Sequence, residues 1–532
     1  MYLYLHFFEK TATGGFIVRT KCNRVLAILL SLLCLLPMVS LAGQAAGTLD
    51  YPVVYVAGKF TYIYNKKNTE RLYPLKTPLS TTIMNNRSEL IAAYNASSSS
   101  GDWTIFGDKI YDIVEPEYRE LVLDTNGDIT NGSHVNAVAA PKNKTSNFAL
   151  EDYMFTYDSR LDPYENAAAL NNYIKKVLQV TGKSKVNLIG RCLGTTIIST
   201  YLTKYGCSKV ASAIFYASAF NGVQMMDDFF TGNIEFEQNR ISYYIAHGMD
   251  TEGDTYQLIS NVWSILNALG LAGAGVNTAN EVWDRIAPDL LPKLVRAVFG
   301  TWPGHWAMIS AGAYQKAKNI VFSKCMTKYA GLIKKIDKYQ KEVMSKWPDT
   351  LNRLVREDGL RVAIFAKYNT PLAPLSNESG QQADGTVELE TMSLGAKAAD
   401  IGETFSSAYI QYLKNTGKSK YLSADLMVDA STCQYPDYTW FIRDVAHDAY
   451  PPEINSLFMD IFHSSTQYTV TTDSKYPQFV SYNEQTQKIS KITEPVTGAE
   501  TPGKNILQII AAYITQLFAK LFSLFGGNKT AQ

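Results

Sequence analysis

Short apolar runs alternate with longer stretches of helical spacing between residues 51 and 220. "YPVVYVAGKF" (51–60) is a run of Val and Tyr that stops at a glycine, the pattern of a strand followed by a turn. Over 165–181, Ala169, Leu170, Tyr173, Ile174, Val177 and Leu178 recur at helical intervals and the run ends before "TGKS". "KVNLIG" is mostly apolar and too short for a helix of its own, so it predicts a buried strand over 186–189. A turn at 190–194 and a helix over 195–204 follow, with Gly206 as the stop. "KVASAIFYASAF" then predicts another strand. Strand, helix, strand, helix, strand at this spacing favour an α/β protein with a mostly parallel sheet flanked by helices.

From about 223 to 355 the period changes. "QLISNVWSILNALGLAGAG", "DLLPKLVRAVFG" and "KYAGLIKKIDKYQKEVMSKW" are helical, with few strand signals between them, and strand character returns at "LRVAIFAKY" (360–368). The chain thus divides into a leader and N-terminal extension (1–46), a first core part (47–222), a helical cap (223–358), a second core part (359–494) and a tail (495–532). In the tail a Pro/Gly/Thr linker precedes "KNILQIIAAYITQLFAKLFSLFGG", where Ile506, Leu507, Ile510, Ile514, Leu517 and Leu521 form one stripe of an amphipathic helix. Such a helix suits a membrane surface, a partner protein, or its own domain.

Composition changes the picture in two places. A formal net charge of +1 over 532 residues excludes an electrostatic case for nucleic acid, and no nucleic-acid motif or internal repeat is present. Arg19, Lys21 and Arg24 precede an apolar run from Val25 to Leu36, and Ser40-Leu41-Ala42 fits a small-x-small cleavage site. That is the pattern of a secretory signal peptide, since the run is short for a membrane span, so a secreted or cell-surface protein is expected. Cys192, Cys207, Cys325 and Cys433 remain after the leader, too few for a disulfide scaffold but enough for one or two bridges. No His/Cys cluster has metal-ligand spacing; neither metal nor cofactor is expected, and the sequence is silent on oligomeric state.

The chemistry centres on "VNLIGRCLGTTI" (186–197), the frame G-x-S-x-G with Cys192 where serine is usual and Gly190 and Gly194 around it. A turn between strand and helix lifts a nucleophile above the sheet and sets it at a helix N-terminus, where backbone N–H groups stabilise an oxyanion. A nucleophile needs a base, and the base an orienting acid. His447, in "FIRDVAHDAYPPEINSLFMDIF", is a loop histidine between the last core strand and a helix. Asp384, in "DGTV", follows the strand "VAIFAKY". The order Cys192, Asp384, His447 is the nucleophile–acid–histidine order of α/β-hydrolases.

These segments resemble the lecithin–cholesterol acyltransferase and lipase family. "PVVYVAGKF" resembles its strand and oxyanion loop, "FTYDSRL" (155–161) its F-x-Y-D-W-R-L block, "VNLIGRCLGTT" its nucleophile elbow and "DGTV" its acid segment. The resemblance runs over roughly 50–460 and implies an α/β-hydrolase fold and a lipase, phospholipase or acyltransferase acting on a hydrophobic ester. It implies Cys192 as nucleophile, Asp384 as acid, His447 as base, and the backbone N–H groups of Leu193 and Lys59 as oxyanion hole. The chain departs from the family where cysteine replaces serine, where Arg191 precedes it, where Ala57-Gly58 stands in place of the common Pro-Gly or His-Gly, and where Ser159 replaces the tryptophan of the F-x-Y-D-W-R-L block.

A thiol ionises near about 8.5, and a helix N-terminus, a histidine and Arg191 all favour thiolate, which attacks a carbonyl with less help than a hydroxyl needs. Dienelactone-hydrolase-like members of the superfamily carry cysteine at this spot. Sulfur's longer bonds work against an oxyanion hole cut for oxygen. The expectation is an exported esterase or acyltransferase; the alternative is an inactive α/β-hydrolase-fold protein that binds a lipid, glycan or cell-surface partner. A third reading makes Cys192 a disulfide partner of Cys207 or Cys433.

Overall fold

The structure, a computed structural model, describes residues 49–58, 62–247, 276–483 and 486–493. The leader, Lys59, the run "QLISNVWSILNALGLAGAG" and the C-terminal amphipathic stretch lie outside these residues.

Among the described residues eight strands form the main sheet: β1 (Val53–Val56), β2 (Tyr153–Phe155), β3 (Val186–Arg191), β4 (Val210–Tyr216), β5 (Arg361–Tyr368), β6 (Thr439–Arg443), β7 (Phe479–Asn483) and β8 (Lys488–Lys491). Their order is β8-β7-β6-β5-β4-β3-β1-β2, and every pairing is parallel except β7 with β8. The central strands read as continuous apolar runs because both faces are covered; all of β4 is buried. The sheet does not end at β6, the last strand legible in the sequence. β7 alternates buried and half-exposed positions and β8 is largely exposed, so these edge strands carry too few apolar residues to show in the pattern.

Two helices frame the first core part. Pro163–Thr181 (α1) opens on Asp162, whose carboxylate accepts the N–H of Tyr164, with Pro163 at its first position; Gly182 closes it in the left-handed conformation. Leu193–Tyr205 (α2) follows β3 directly. Residues 224–356 supply helices and no strand among the described residues. Their apolar faces share one core with the sheet: Trp347 meets Phe215 of β4 edge-on at 5.9 Å, and Leu351 and Leu354 are fully buried. The helices Arg87–Ser100 and Thr104–Tyr118 build a second core, packing Leu90, Phe106 and Ile110 with Ile286 and Leu290 of the helix Val276–Val298.

The "FTYDSRL" block has a structural job. Arg160 is fully buried and makes a forked pair with Asp158, its remaining donors reaching the Ser133 side chain and the Leu121 carbonyl. It ties the segment after β2 to loops far back in the chain.

Strand order reverses beside β1, which lies between β3 and β2. In an open parallel sheet the crevice at the carboxyl ends of strands flanking such a switch point is where ligands bind. Cys192 follows β3 at that end, and Gly58 follows β1 there.

Candidate functional site

The elbow is built from close backbone approaches. Cys192 has φ 48° and ψ −124°, a conformation costly for a residue with a Cβ, and it caps α2. A side chain at Gly194 would place its Cβ 2.4 Å from the carbonyl oxygen of Val56 and 2.9 Å from that of Ala57. One at Gly190 would stand 2.7 Å from Ile198 and 3.1 Å from the backbone of Thr195. One at Gly58 would stand 2.2 Å from the carbonyl oxygen of Arg191. Three glycines therefore let the end of β1, the turn and α2 come together under Cys192. The turn is held by Cys192 N–H donating to the Tyr216 carbonyl at 3.1 Å, and by the Thr195 N–H and hydroxyl on the Cys192 carbonyl at 2.9 and 2.6 Å. Leu193 is the first residue of α2, where a backbone N–H has no acceptor within the helix.

The structure brings Asp384 and His447 together with this turn. His447 Nδ1 lies 2.8 Å from Asp384 Oδ2, which fixes the proton on Nδ1 and leaves the other ring nitrogen for Cys192. The other oxygen of Asp384 accepts the N–H groups of Thr386 and Val387 at 3.1 and 2.9 Å, closing the "DGTV" turn around the carboxylate. Asp384 is fully buried. Burial alone would raise its pKa, but His447, Lys367 and these hydrogen bonds outweigh it and hold the acid at about 2. Burial also works against a charged His447; the charge of Asp384, then the charge and hydrogen bond of Cys192, overcome it and lift the imidazole to about 10. The electrostatics favour an imidazolium beside the cysteine sulfur.

One residue of the site was missed from sequence. Lys367 on β5 is fully buried, donates to the carbonyls of Ala446 and His447 at 2.7 Å each, and stands 3.6 Å from Asp384 Oδ2. Burial pulls its pKa down to about 8 against the attraction of Asp384. The signal was a lone cation inside the apolar run "VAIFAKY", a residue type almost never fully buried without a partner. Tyrosines surround the rest: Tyr216 lies 5.1 Å below the Lys367 ammonium and 5.4 Å from the ring of Tyr450. The Tyr157 hydroxyl is held well above its ordinary pKa by burial and, next, by Cys192.

Cys192, Cys207, Cys325 and Cys433 are all free thiols, so the bridge between Cys192 and Cys207 or Cys433 is not formed. His305 is fully buried against Phe299 and Trp302 and pushed down to about 3 by burial, a packed neutral ring. A cleft of about 520 Å³ lies at the other end of the sheet, lined by residues at or before the amino ends of strands, among them Tyr51, Lys185 and Arg361; Cys192 is not part of its lining.

A central parallel strand that ends in a strained, glycine-flanked turn, with an acid after β5 and a histidine after β6, is the α/β-hydrolase fold. No family model and no curated protein matches the sequence. Among the solved structures similar to it, the crystal structure of the Tle4–Tli4 complex aligns with 60% of this chain and 75% of that one, at 11% identity and a TM-score of 0.24. An esterase, RhEst1 from Rhodococcus sp. ECU1013, aligns with 30% of this chain at 17% identity and a TM-score of 0.12. The aligned part spans less than two thirds of that esterase, 62% of its length.

Proposed function

We propose that this protein is an exported ester hydrolase or acyltransferase that acts on a hydrophobic, lipid-like ester through Cys192, with His447 as base and Asp384 as its orienting acid. The observation that carries the proposal is the 2.8 Å bond from His447 to Asp384, made while the imidazole also interacts with the elbow cysteine. A cysteine held only for packing would need neither partner.

The steps follow from these positions. His447 takes the proton of the Cys192 thiol, the sulfur attacks the ester carbonyl carbon, the C–S bond forms, and the carbonyl electron pair moves onto oxygen. The N–H of Leu193, at the start of α2, receives that oxyanion. The intermediate collapses, the C–O bond to the leaving alcohol breaks, and His447 gives that oxygen its proton. Water, or an acceptor alcohol, then gives a proton to His447 and attacks the thioester. A second collapse breaks the C–S bond and releases a carboxylic acid or a new ester. Asp384 stays ionised throughout and supports the imidazolium. The leader at 1–46 supports export, and the amphipathic stretch after 503 suits attachment to a lipid surface.

The test is covalent trapping. The full chain is mixed with activated esters of several chain lengths and the Cys192 peptide is weighed by mass spectrometry, beside Cys192→Ala in a turnover assay. An acyl group on Cys192, and turnover lost in the variant, are expected. Equal rates for both proteins, with no adduct, would sink the enzymatic reading in favour of a binding protein.

A further inference from the structure

We propose that Lys367 is a positioning residue which, with Arg191, grips the main chain at Ala446–His447 and so sets where the imidazole stands relative to Cys192. The proposal rests on the reading of Cys192 and His447 as nucleophile and base.

Lys367 stands on β5, a rigid central strand, and its ammonium has three donors. Two are spent on the carbonyls of Ala446 and His447, and the ammonium also lies 3.6 Å from Asp384 Oδ2. Burying an ammonium is unfavourable unless it is paired and hydrogen-bonded. An aliphatic residue would fill the same strand position without that cost, so what Lys367 adds is its donors. The His447 carbonyl accepts a second time, from Arg191 Nη2 at 2.7 Å; the same guanidinium lies 3.6 Å from Asp448. One peptide carbonyl is thus held by the strand that leads to the acid and by the residue immediately before the nucleophile. A shift of this loop moves the imidazole against both neighbours at once, and reacting groups displaced by about 1 Å lose about a hundredfold in rate. The charged and titratable groups around Lys367 are Asp384, Arg191, Asp448, Cys192 and, through Asp384, His447, with the Tyr216 ring below it.

The experiment measures iodoacetamide alkylation of Cys192 across the pH range by peptide mass spectrometry. It compares the full-length wild type, Lys367→Met, Arg191→Met, His447→Ala and the double variant Lys367→Met/His447→Ala, each checked for fold by near-UV circular dichroism. Lys367→Met is expected to slow alkylation at neutral pH by about tenfold to a hundredfold and to move the pH profile toward that of His447→Ala. Arg191→Met shifts it in the same direction. The double variant should be no slower than His447→Ala, because Lys367 acts through the imidazole.

Wild-type rates and profiles in Lys367→Met and Arg191→Met overturn the proposal, as does a double variant whose loss is the product of the single losses. Should Lys367→Met fail to fold, an unchanged profile in Arg191→Met is enough to overturn it. Alkylation measures the histidine's placement without any ester. Failed acyl trapping with the Lys367 effect intact therefore removes the hydrolase reading alone, whereas acyl trapping with no Lys367 effect removes only the positioning role.

Discussion

The guanidinium of Arg191 donates to the main-chain carbonyl of His447 at 2.7 Å, joining residues 256 positions apart in the chain. Arg191 ends β3 and directly precedes Cys192, so the turn that presents the sulfur also holds the loop that carries the imidazole. Coupling of this kind makes the site respond as a unit, and the expected effects of substitution follow from which contact each change removes.

Asp384→Asn keeps the size and the oxygen of the side chain and removes the charge. The imidazole then loses the partner that holds its proton on Nδ1 and supports its charged form. Turnover of an activated ester should fall by about a hundredfold to ten-thousandfold, with little change in fold. A variant with kcat/KM close to wild type would rule out the orienting role of Asp384.

The pair also makes stability depend on pH. His447 rises from its ordinary 6.5 to about 10 in the folded protein, so the stability it contributes is full below 6.5 and is lost as pH climbs toward 10. Asp384 falls from 3.8 to about 2, so its contribution is full above 3.8 and is lost as pH drops toward 2. The melting temperature of wild type minus that of His447→Gln should be greatest between these limits and shrink on the alkaline side. A difference that stays flat to alkaline pH would contradict the ion pair.

Glu388, four residues after Asp384, behaves in the opposite way. Burial raises it from 4.5 to about 8 even though it accepts the N–H of Gln224 at 3.0 Å. A carboxyl raised on folding favours the folded state below its unfolded pKa, and that advantage is lost as pH rises through the folded value. Glu388→Gln keeps the acceptor and cannot ionise. Its stability relative to wild type should grow between pH 4.5 and 8 and then level off, by at least about 1 kcal/mol. Urea melts at several pH values check this; a difference independent of pH would refute it.

Gly194→Ala drives a methyl group to 2.4 Å from the Val56 carbonyl oxygen, a backbone atom that cannot swing aside. The end of β1 and the start of α2 must separate, at a cost of about 1–3 kcal/mol. Chemical denaturation measures it, and wild-type stability would show that the approach is looser than the structure has it.

Local order along the chain was legible because it depends on near neighbours. The apolar run "KVNLIG", the glycines around Cys192 and the helix stop at Gly206 specify strand, turn and helix, and they appear at β3, Cys192 and α2. The order Cys192, Asp384, His447 could be read in the same way, since each follows a strand of the sheet. Edge strands β7 and β8 were not legible: half-exposed positions do not produce the apolar pattern by which a strand is recognised. Nor was the setting of the site. A lysine in an apolar strand shows only that a partner must exist; the partners, the carbonyls of Ala446 and His447 and the carboxylate of Asp384, are 17 or more positions away. The sequence determined which residue types meet at the ends of the strands. Only tertiary packing decided that a buried ammonium and a guanidinium would converge on one carbonyl, because hydrogen bonds between distant segments depend on how the strands are stacked and leave no periodic trace in the chain.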